Sequence, residues 1–322
     1  MQLDHVAVIG AGAWGTALAQ AAALAGRRVT LVGRDAEVIA DIAANHRNTR
    51  HLGDLPLAAG IAASLRLPDA DLYVLAVPAQ ASRAALLTHA AALAGKPVVL
   101  SAKGLETGTH KRQSEVLHET VPEAIGFVLS GPSFATDVAA GRPTAVTLAG
   151  DDAEMTSLIA AALAGPSFRP YAADDRLGVE IAGALKNVYA LACGAVEGAG
   201  LGASARAALI ARGFAELNRI VVRLGGSPHT LAGLAGLGDL TLSCTSQQSR
   251  NYRYGMALAR NEPTAAIGLA EGVATAPVAR ELTEALGIDA PLIEAINLLL
   301  DGTANIDEIV AGLMARPLRR EH

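Results

Sequence analysis

The chain has little cysteine, little aromatic residue and hardly any lysine, and each shortage narrows what it can be. Cys193 and Cys244 are far apart and form no Cys-x-x-Cys pair, so neither a disulfide framework nor a zinc site is expected. A reducing cytoplasm fits. The eight histidines include no His-x-x-x-His pair, and no metal site is expected. The net charge of -5 excludes a general nucleic-acid binder, which needs clustered basic residues to neutralise phosphates. The first segment, "DHVAVIGAG", starts as a strand without a charged leader and cleavage site, so no secretion signal is expected. Apolar runs are broken by Gly, Asp or Arg short of the roughly 18 residues that span a bilayer, and the reading is a soluble protein without membrane insertion. Of 26 basic residues only Lys96, Lys103, Lys111 and Lys186 are lysines. Base bias accounts for the scarcity. Two of the four nevertheless lie in glycine-rich stretches, which points to a need for an amine that gives and takes a proton.

What is present is a globular composition, 51% hydrophobic and 18% charged over 322 residues, about two domains' worth. Up to about residue 175, β-branched or leucine-rich runs (Val6 to Ile9, Val29 to Val32, Leu72 to Val77, Val98 to Ser101, Phe127 to Ser130, Ala145 to Leu148) alternate with alanine-rich helical segments. That rhythm predicts βαβ units around a mostly parallel sheet, covered on both faces. Beyond about residue 178 only helical spacing continues. The expected fold is α/β, a doubly wound, mostly parallel sheet over 1–178 followed by an all-α domain over 179–322, with a ligand cleft between them. "GPSF" occurs at Gly131 and again at Gly165, with different flanks, and reads as coincidence. The ending "ARPLRREH" reads as a frayed tail.

"VAVIGAGAWGTALA" sets Gly10, Gly12 and Gly15 between a strand and a helix. The first glycine permits the tight turn, the second the approach of a pyrophosphate, the third close helix–strand packing, with phosphate at the helix N-terminus. Trp14 sits where a dinucleotide would lie, or is a packing aromatic. The second strand runs into Arg34 and then Asp35. An arginine there suits a 2'-phosphate and favours NADP; Asp35 can still serve a ribose hydroxyl, so NAD stays open, as does a plain surface role for Arg34.

Lys103 and the group Gly131, Ser133 and Ala135 each follow a strand end, where an open sheet borders its ligand crevice. The second is no nucleophile elbow, since the closing glycine is missing. Lys186 stands in "EIAGALKNVYAL", an apolar, small-residue helix. On it Gly183, Lys186, Asn187, Ala190 and Gly194 share a face whose small residues leave room for a ligand. Burial there lowers a lysine pKa, as a proton donor to an alkoxide requires; a Schiff-base lysine or one that snorkels to solvent are the other readings. Asp239 in "GLAGLGDL" either orients that ammonium or caps a helix. Ser249, Arg250 and Asn251 offer a hydroxyl, a guanidinium and an amide that can converge on a phosphate, or form a surface loop.

Together "GAGAWGTALA", "LAVPAQ", "AKGLE", "SGPSFATDVAAGRPTA", "EIAGALKNVYALACG", "GLGDL", "SRNYRYG" and "AEGVATA" resemble the bacterial NAD(P)-dependent sn-glycerol-3-phosphate dehydrogenases, in order and spacing, from Val6 to about Met314. The resemblance implies reversible reduction of dihydroxyacetone phosphate to sn-glycerol 3-phosphate for phospholipid synthesis, by a Rossmann-type domain followed by an α-helical one. It implies Lys186 as proton donor and acceptor, with Lys103, Gly131, Ser133, Asp239, Ser249, Arg250 and Asn251 on the substrate. Ala13, Trp14, Arg34, Lys103, Ala135, Arg250 and Glu271 match cofactor contacts. Ala13 stands where the family often has Ser, Ser204 where Asn is common, and Ala270 where Val is usual; these bear on cofactor affinity more than on the proton path. Two rivals remain at this stage: a 3-hydroxyacid dehydrogenase binding a carboxylate at Arg250, and a cofactor sensor without chemistry. A homodimer fits the large alanine/leucine helical surface.

Overall fold

The computed structural model describes residues 3–317. Its sheet comprises β1 (His5–Ile9), β2 (Arg28–Val32), β3 (Ile61–Ser64), β4 (Leu72–Leu75), β5 (Pro97–Leu100), β6 (Ile125–Ser130), β7 (Thr144–Gly150) and β8 (Phe168–Ala173). The order is β3-β2-β1-β4-β5-β6-β7-β8. All pairs are parallel except β6 with β7. Helices α1 (Ala13–Leu24), α2 (Ala36–Asn45), α3 (Thr49–Leu52), α4 (Ser82–Leu93), α5 (Gln113–Thr120), α6 (Ala135–Ala139) and α7 (Ala153–Leu163) connect the strands. Then come α8 (Arg176–Gly198), α9 (Gly202–Arg223), α10 (Pro228–Ala232), α11 (Asp239–Thr245), α12 (Arg250–Ala259), α13 (Glu271–Leu286), α14 (Pro291–Leu300) and α15 (Ile306–Met314).

The six strands expected from the sequence are present, and two more close the edges. β3 and β8 escape a search for apolar runs because only one residue of each is buried, and Pro170 is the kind of residue an edge strand tolerates. Phe168, the last residue of the second "GPSF", begins β8. Central strands are buried on both faces, as in "HVAVI" and "LYVL". Because β1, β2, β4, β5 and β6 run the same way, their C-terminal ends lie along one border of the sheet.

α8 corrects the expectation about apolar runs. It is long and apolar enough to cross a membrane, but 94% of that stretch is buried inside the fold, where α9, α11, α12 and α13 surround it. Gly194 and Gly198 serve this packing rather than ligand access, whereas Gly183 abuts Ser130 and the Lys103 side chain. A Cβ on Gly194 would stand 1.9 Å from the Tyr252 carbonyl oxygen, and one on Gly255 1.9 Å from that of Leu191. Glycine on both helices is what lets α8 and α12 approach backbone to backbone.

The start of the basic ending is anchored rather than frayed: Arg316 Nη2 donates to Asp289 Oδ1 at 2.8 Å and Oδ2 at 2.6 Å. Residues 318–322 lie outside the described residues.

Glu216 of α9 is buried where α14 begins. Its Oε1 accepts from Leu292 N at 2.9 Å, while its Oε2 and the Tyr189 hydroxyl lack partners. Burial, opposed by the α14 amides and Arg219, raises its pKa to about 7. A carboxyl whose folded pKa is raised stabilises the fold below its unfolded value and loses that contribution as pH rises through the folded one. Glu216→Gln is therefore expected to raise Tm at pH 8, by up to about 3 kcal/mol of stability, and to do nothing comparable at pH 4.5. Thermal unfolding at both pH values checks this.

Candidate active site

The turn after β1 brings the first group of residues to the strand border. Gly10 has φ +116, and a Cβ on it would lie 2.6 Å from the Ala76 carbonyl oxygen, so a side chain is excluded twice over. A Cβ on Gly15 would lie 1.8 Å from Gly10 O, whereas one on Gly12 meets nothing within 4 Å. Gly12 thus faces open space while its neighbours are locked. It is also the N-cap of α1, with no side-chain cap, leaving the first-turn amides of Ala13, Trp14 and Gly15 without intrahelical acceptors. This is a cradle for an anion. Trp14 is partly buried and its Nε1 has no hydrogen-bond partner. Ala135, in α6, packs with Trp14 on the same cluster.

After β2, Arg34 is exposed. Asp35, read from sequence as open to a ribose, is spent otherwise: its Oδ1 accepts from Glu37 N at 3.0 Å and Val38 N at 3.3 Å as the cap of α2. Its other oxygen pairs with Arg50.

Beyond β5 and β6 the border meets the helical region. Lys186 is 6% exposed, and its Nζ donates to Asp239 Oδ1 at 2.5 Å and to Ser243 Oγ at 2.7 Å. Lys103 Nζ donates to Asp239 Oδ2 at 2.8 Å and to Gly131 O at 2.9 Å. One carboxylate therefore binds two ammonium groups, with both its oxygens occupied. Each ammonium carries three protons and commits two of them to the protein. Lys103 Nζ also lies 6.0 Å from the Trp14 ring centroid, joining this cluster to the glycine turn. Ser133 Oγ donates to Gly131 O at 3.0 Å.

Asp239 is the first residue of α11, whose N-cap is Gly238, so the sequence alternative of a capping aspartate falls away. Burial pushes the Lys186 pKa down to about 8; Asp239 pulls it back up and the Lys103 charge lowers it further. Two cations against one anion leave excess positive charge in a buried place. Removing such groups from water costs several kcal/mol per ion, more than one shared carboxylate returns, and an anionic ligand offsets that cost.

Ser249 caps α12 through its Oγ, which accepts from Tyr252 N at 3.3 Å. Arg250 opens the helix with an exposed side chain. Asn251 is buried and engaged at both ends: Nδ2 donates to Asn187 Oδ1 at 2.9 Å, and Oδ1 accepts from Gly272 N at 2.9 Å. Glu271, first in α13, accepts from Ala79 N at 3.1 Å. Arg34 alone of the predicted residues lies at the far side of the border, after β2. Ser243 was missed, although its spacing of four from Asp239 puts both on one face of a helix. Among the described residues no group of three or more His, Cys, Asp or Glu could hold a metal ion.

Comparison with known proteins is consistent along the whole chain. Family models described as the N-terminus and the C-terminus of NAD-dependent glycerol-3-phosphate dehydrogenase match residues 5–156 and 175–311. A glycerol-3-phosphate dehydrogenase [NAD(P)+] of Brucella canis is 51% identical, covering 98% of each chain. That of Caulobacter vibrioides is 50% identical over 100% of both. The crystal structure of the glycerol-3-phosphate dehydrogenase from Coxiella burnetii superposes with a TM-score of 0.90 at 34% identity, covering 97% of this chain and 99% of that one.

With only four lysines in the chain, the titration of each can be followed by NMR on lysine-labelled protein. The Lys186 resonance is expected to titrate near pH 8. Asp239→Asn, which removes the attracting charge, is expected to move that midpoint lower.

Proposed function

Because this chain belongs to the NAD-dependent glycerol-3-phosphate dehydrogenase family, we propose a site-by-site account of how it interconverts dihydroxyacetone phosphate and sn-glycerol 3-phosphate with NAD(P). The observation that carries it is the buried Lys186–Asp239–Lys103 cluster at the border of the glycine turn. When bound, the dinucleotide supplies or takes up a hydride at the substrate carbon. Gly12, with open space over its Cα, and the first-turn amides of Ala13, Trp14 and Gly15 suit its pyrophosphate. Arg34 suits a 2'-phosphate and favours NADP, all the more because Asp35 is committed to α2 and Arg50. Ala135, which packs on the same core cluster as Trp14, and Glu271 complete the cofactor side, with Lys103 and Arg250 between cofactor and substrate.

Lys186 moves the proton. In reduction its ammonium donates the third, uncommitted proton to the oxygen becoming an alkoxide; in oxidation the neutral amine takes it back. A pKa of about 8 keeps both forms accessible near neutral pH, the condition for a donor that also serves as acceptor. Asp239 holds Nζ in place and Lys103 adds a second cation for the developing oxyanion. The phosphate docks on Arg250 and the α12 N-terminus, with Ser249; for a dianion this pairing of guanidinium and helix amides is apt. Asn251 contributes from its backbone amide, since its carboxamide already has two partners. Gly131 and Ser133 flank the ammonium of Lys103.

The split into 1–178 and 179–322 falls inside the first turn of α8, the helix that bears the proton donor. Two free, buried thiols suit a reducing cytoplasm, and the product is a building block for glycerophospholipids. The outward half of α9, with Val222 48% exposed, suits contact with a second copy in a homodimer.

The direct test follows NADPH and NADH absorbance with dihydroxyacetone phosphate and, separately, with 3-hydroxyacids; turnover of the hydroxyacids alone would refute the substrate assignment. Lys186→Met should keep the fold and the cofactor affinity but lose turnover by 100-fold or more, on the order of 10² to 10⁴ for a general acid. Signs follow from the pKa. For reduction, kcat/KM should fall as pH rises through about 8, since the ammonium is required; for oxidation it should rise through the same value.

A further inference from the structure

The segment from Lys103 to Leu105 leaves the end of β5 through a narrow passage. A Cβ on Gly104 would stand 3.0 Å from Ala79 Cβ and 3.5 Å from Thr275 Oγ1. Its three successive carbonyls are each met by a carboxamide from a different element. Asn187 Nδ2 of α8 donates to Lys103 O at 2.9 Å. Gln113 Nε2, at the start of α5, donates to Gly104 O at 3.0 Å. Gln80 Nε2, in the turn Ala79–Ala81 after β4, donates to Leu105 O at 2.8 Å. Gln80 also grips the segment from the other side, its Oε1 accepting from Thr107 N at 2.9 Å.

Three consecutive peptide planes are thus fixed immediately after the residue whose ammonium joins Asp239 to Gly131. A backbone left free at this point would let a four-carbon side chain place its charge over a wide volume. It could also turn a carbonyl oxygen toward an anionic ligand, which repels it. Amide donors prevent both without adding charge. None of the ligand-facing assignments explains Gln80 or Gln113, and the former is the last residue of the sequence run "LAVPAQ".

We propose that Gln80 and Gln113, together with Asn187, are positioning residues that hold the Lys103 ammonium in the active site by fixing its backbone. The inference rests on the reading of Lys103 as an active-site group, so Lys103→Met is the reference variant. Gln80 is exposed, and Gln80→Glu keeps the acceptor for Thr107 N while deleting the donor to Leu105 O. It should fold normally and lose about tenfold in kcat, a modest misplacement by the standard of oriented groups, with KM for NADPH nearly unchanged. Gln113→Met, which deletes the donor to Gly104 O, should lose kcat in the same direction.

A second readout separates positioning from mere loss of stability. Lys186 is faced by Asp239, Lys103 and Cys244, and a Lys103 charge that wanders off leaves Asp239 to Lys186 alone. The group titrating in kcat/KM should therefore move upward in pH in Gln80→Glu and also in Gln113→Met, where no added carboxylate can account for the shift. Wild-type kcat and an unmoved profile in Gln80→Glu, beside a crippled Lys103→Met, would overturn the proposal while leaving the reading of Lys103 intact. A lowered Tm with an unmoved profile overturns it too. Full turnover in Lys103→Met overturns both.

Discussion

One carboxylate holds the two halves of this molecule to a common point. Asp239 receives Lys186 from α8 on one oxygen and Lys103 from the end of β5 on the other. Coulomb attraction at such distances, with an effective dielectric of about 20, is on the order of 6 kcal/mol per pair, and it is opposed by repulsion between the two ammonium groups and by the cost of dehydrating three charges. The cluster is not there for stability. Its geometry is over-determined by neighbours that have no chemistry of their own: Ser243 on Lys186, Gly131 on Lys103 and the asparagine pair 187 and 251 behind them.

The packing around α8 explains why that cluster can be rigid. Glycines at 194 and 255 bring α12 against α8 at backbone contact, and this fixes where α12 begins, with Ser249 capping it. Asn251 and Asn187 then connect that starting point to the Lys103 carbonyl, while Gly272 ties in the start of α13. The phosphate end and the reacting end of the proposed site are therefore spaced by helix packing rather than by loops. Sites built in this way hold a distance between two ligand groups more closely than loops do.

Much of this was legible in the sequence because it depends on local chemistry. The glycine turn, the alternation of strands and helices and the buried lysine each follow from a short run of residues. What was not legible depends on who sits next to whom. β3 and β8 lack an apolar signature because edges are half exposed, and α8 passed unnoticed as a bilayer-length apolar helix because Glu180 and Lys186 interrupt the run although its average over the whole length stays apolar. Gly194 looked like space for a ligand and is filled by Tyr252 backbone. Asp35 looked available and is a cap. Ser243, Gln80 and Gln113 are ordinary polar residues whose importance comes only from the partner each one meets in the fold.

The excess positive charge of the site also bears on when the proton is ready. With no anion bound, Lys103 lowers the affinity of Lys186 for its proton, and burial lowers it more. On the proposed reading, a phosphate dianion docking at Arg250 would bring opposite charge toward both ammonium groups and favour their protonated forms. Under that proposal substrate binding would load the donor in the direction of reduction. In the reverse direction the same dianion opposes deprotonation, so the amine must be freed by pH rather than by the ligand. The second lysine sets the starting point: by lowering the Lys186 pKa in the free site, it leaves more of the donor unprotonated until an anion arrives.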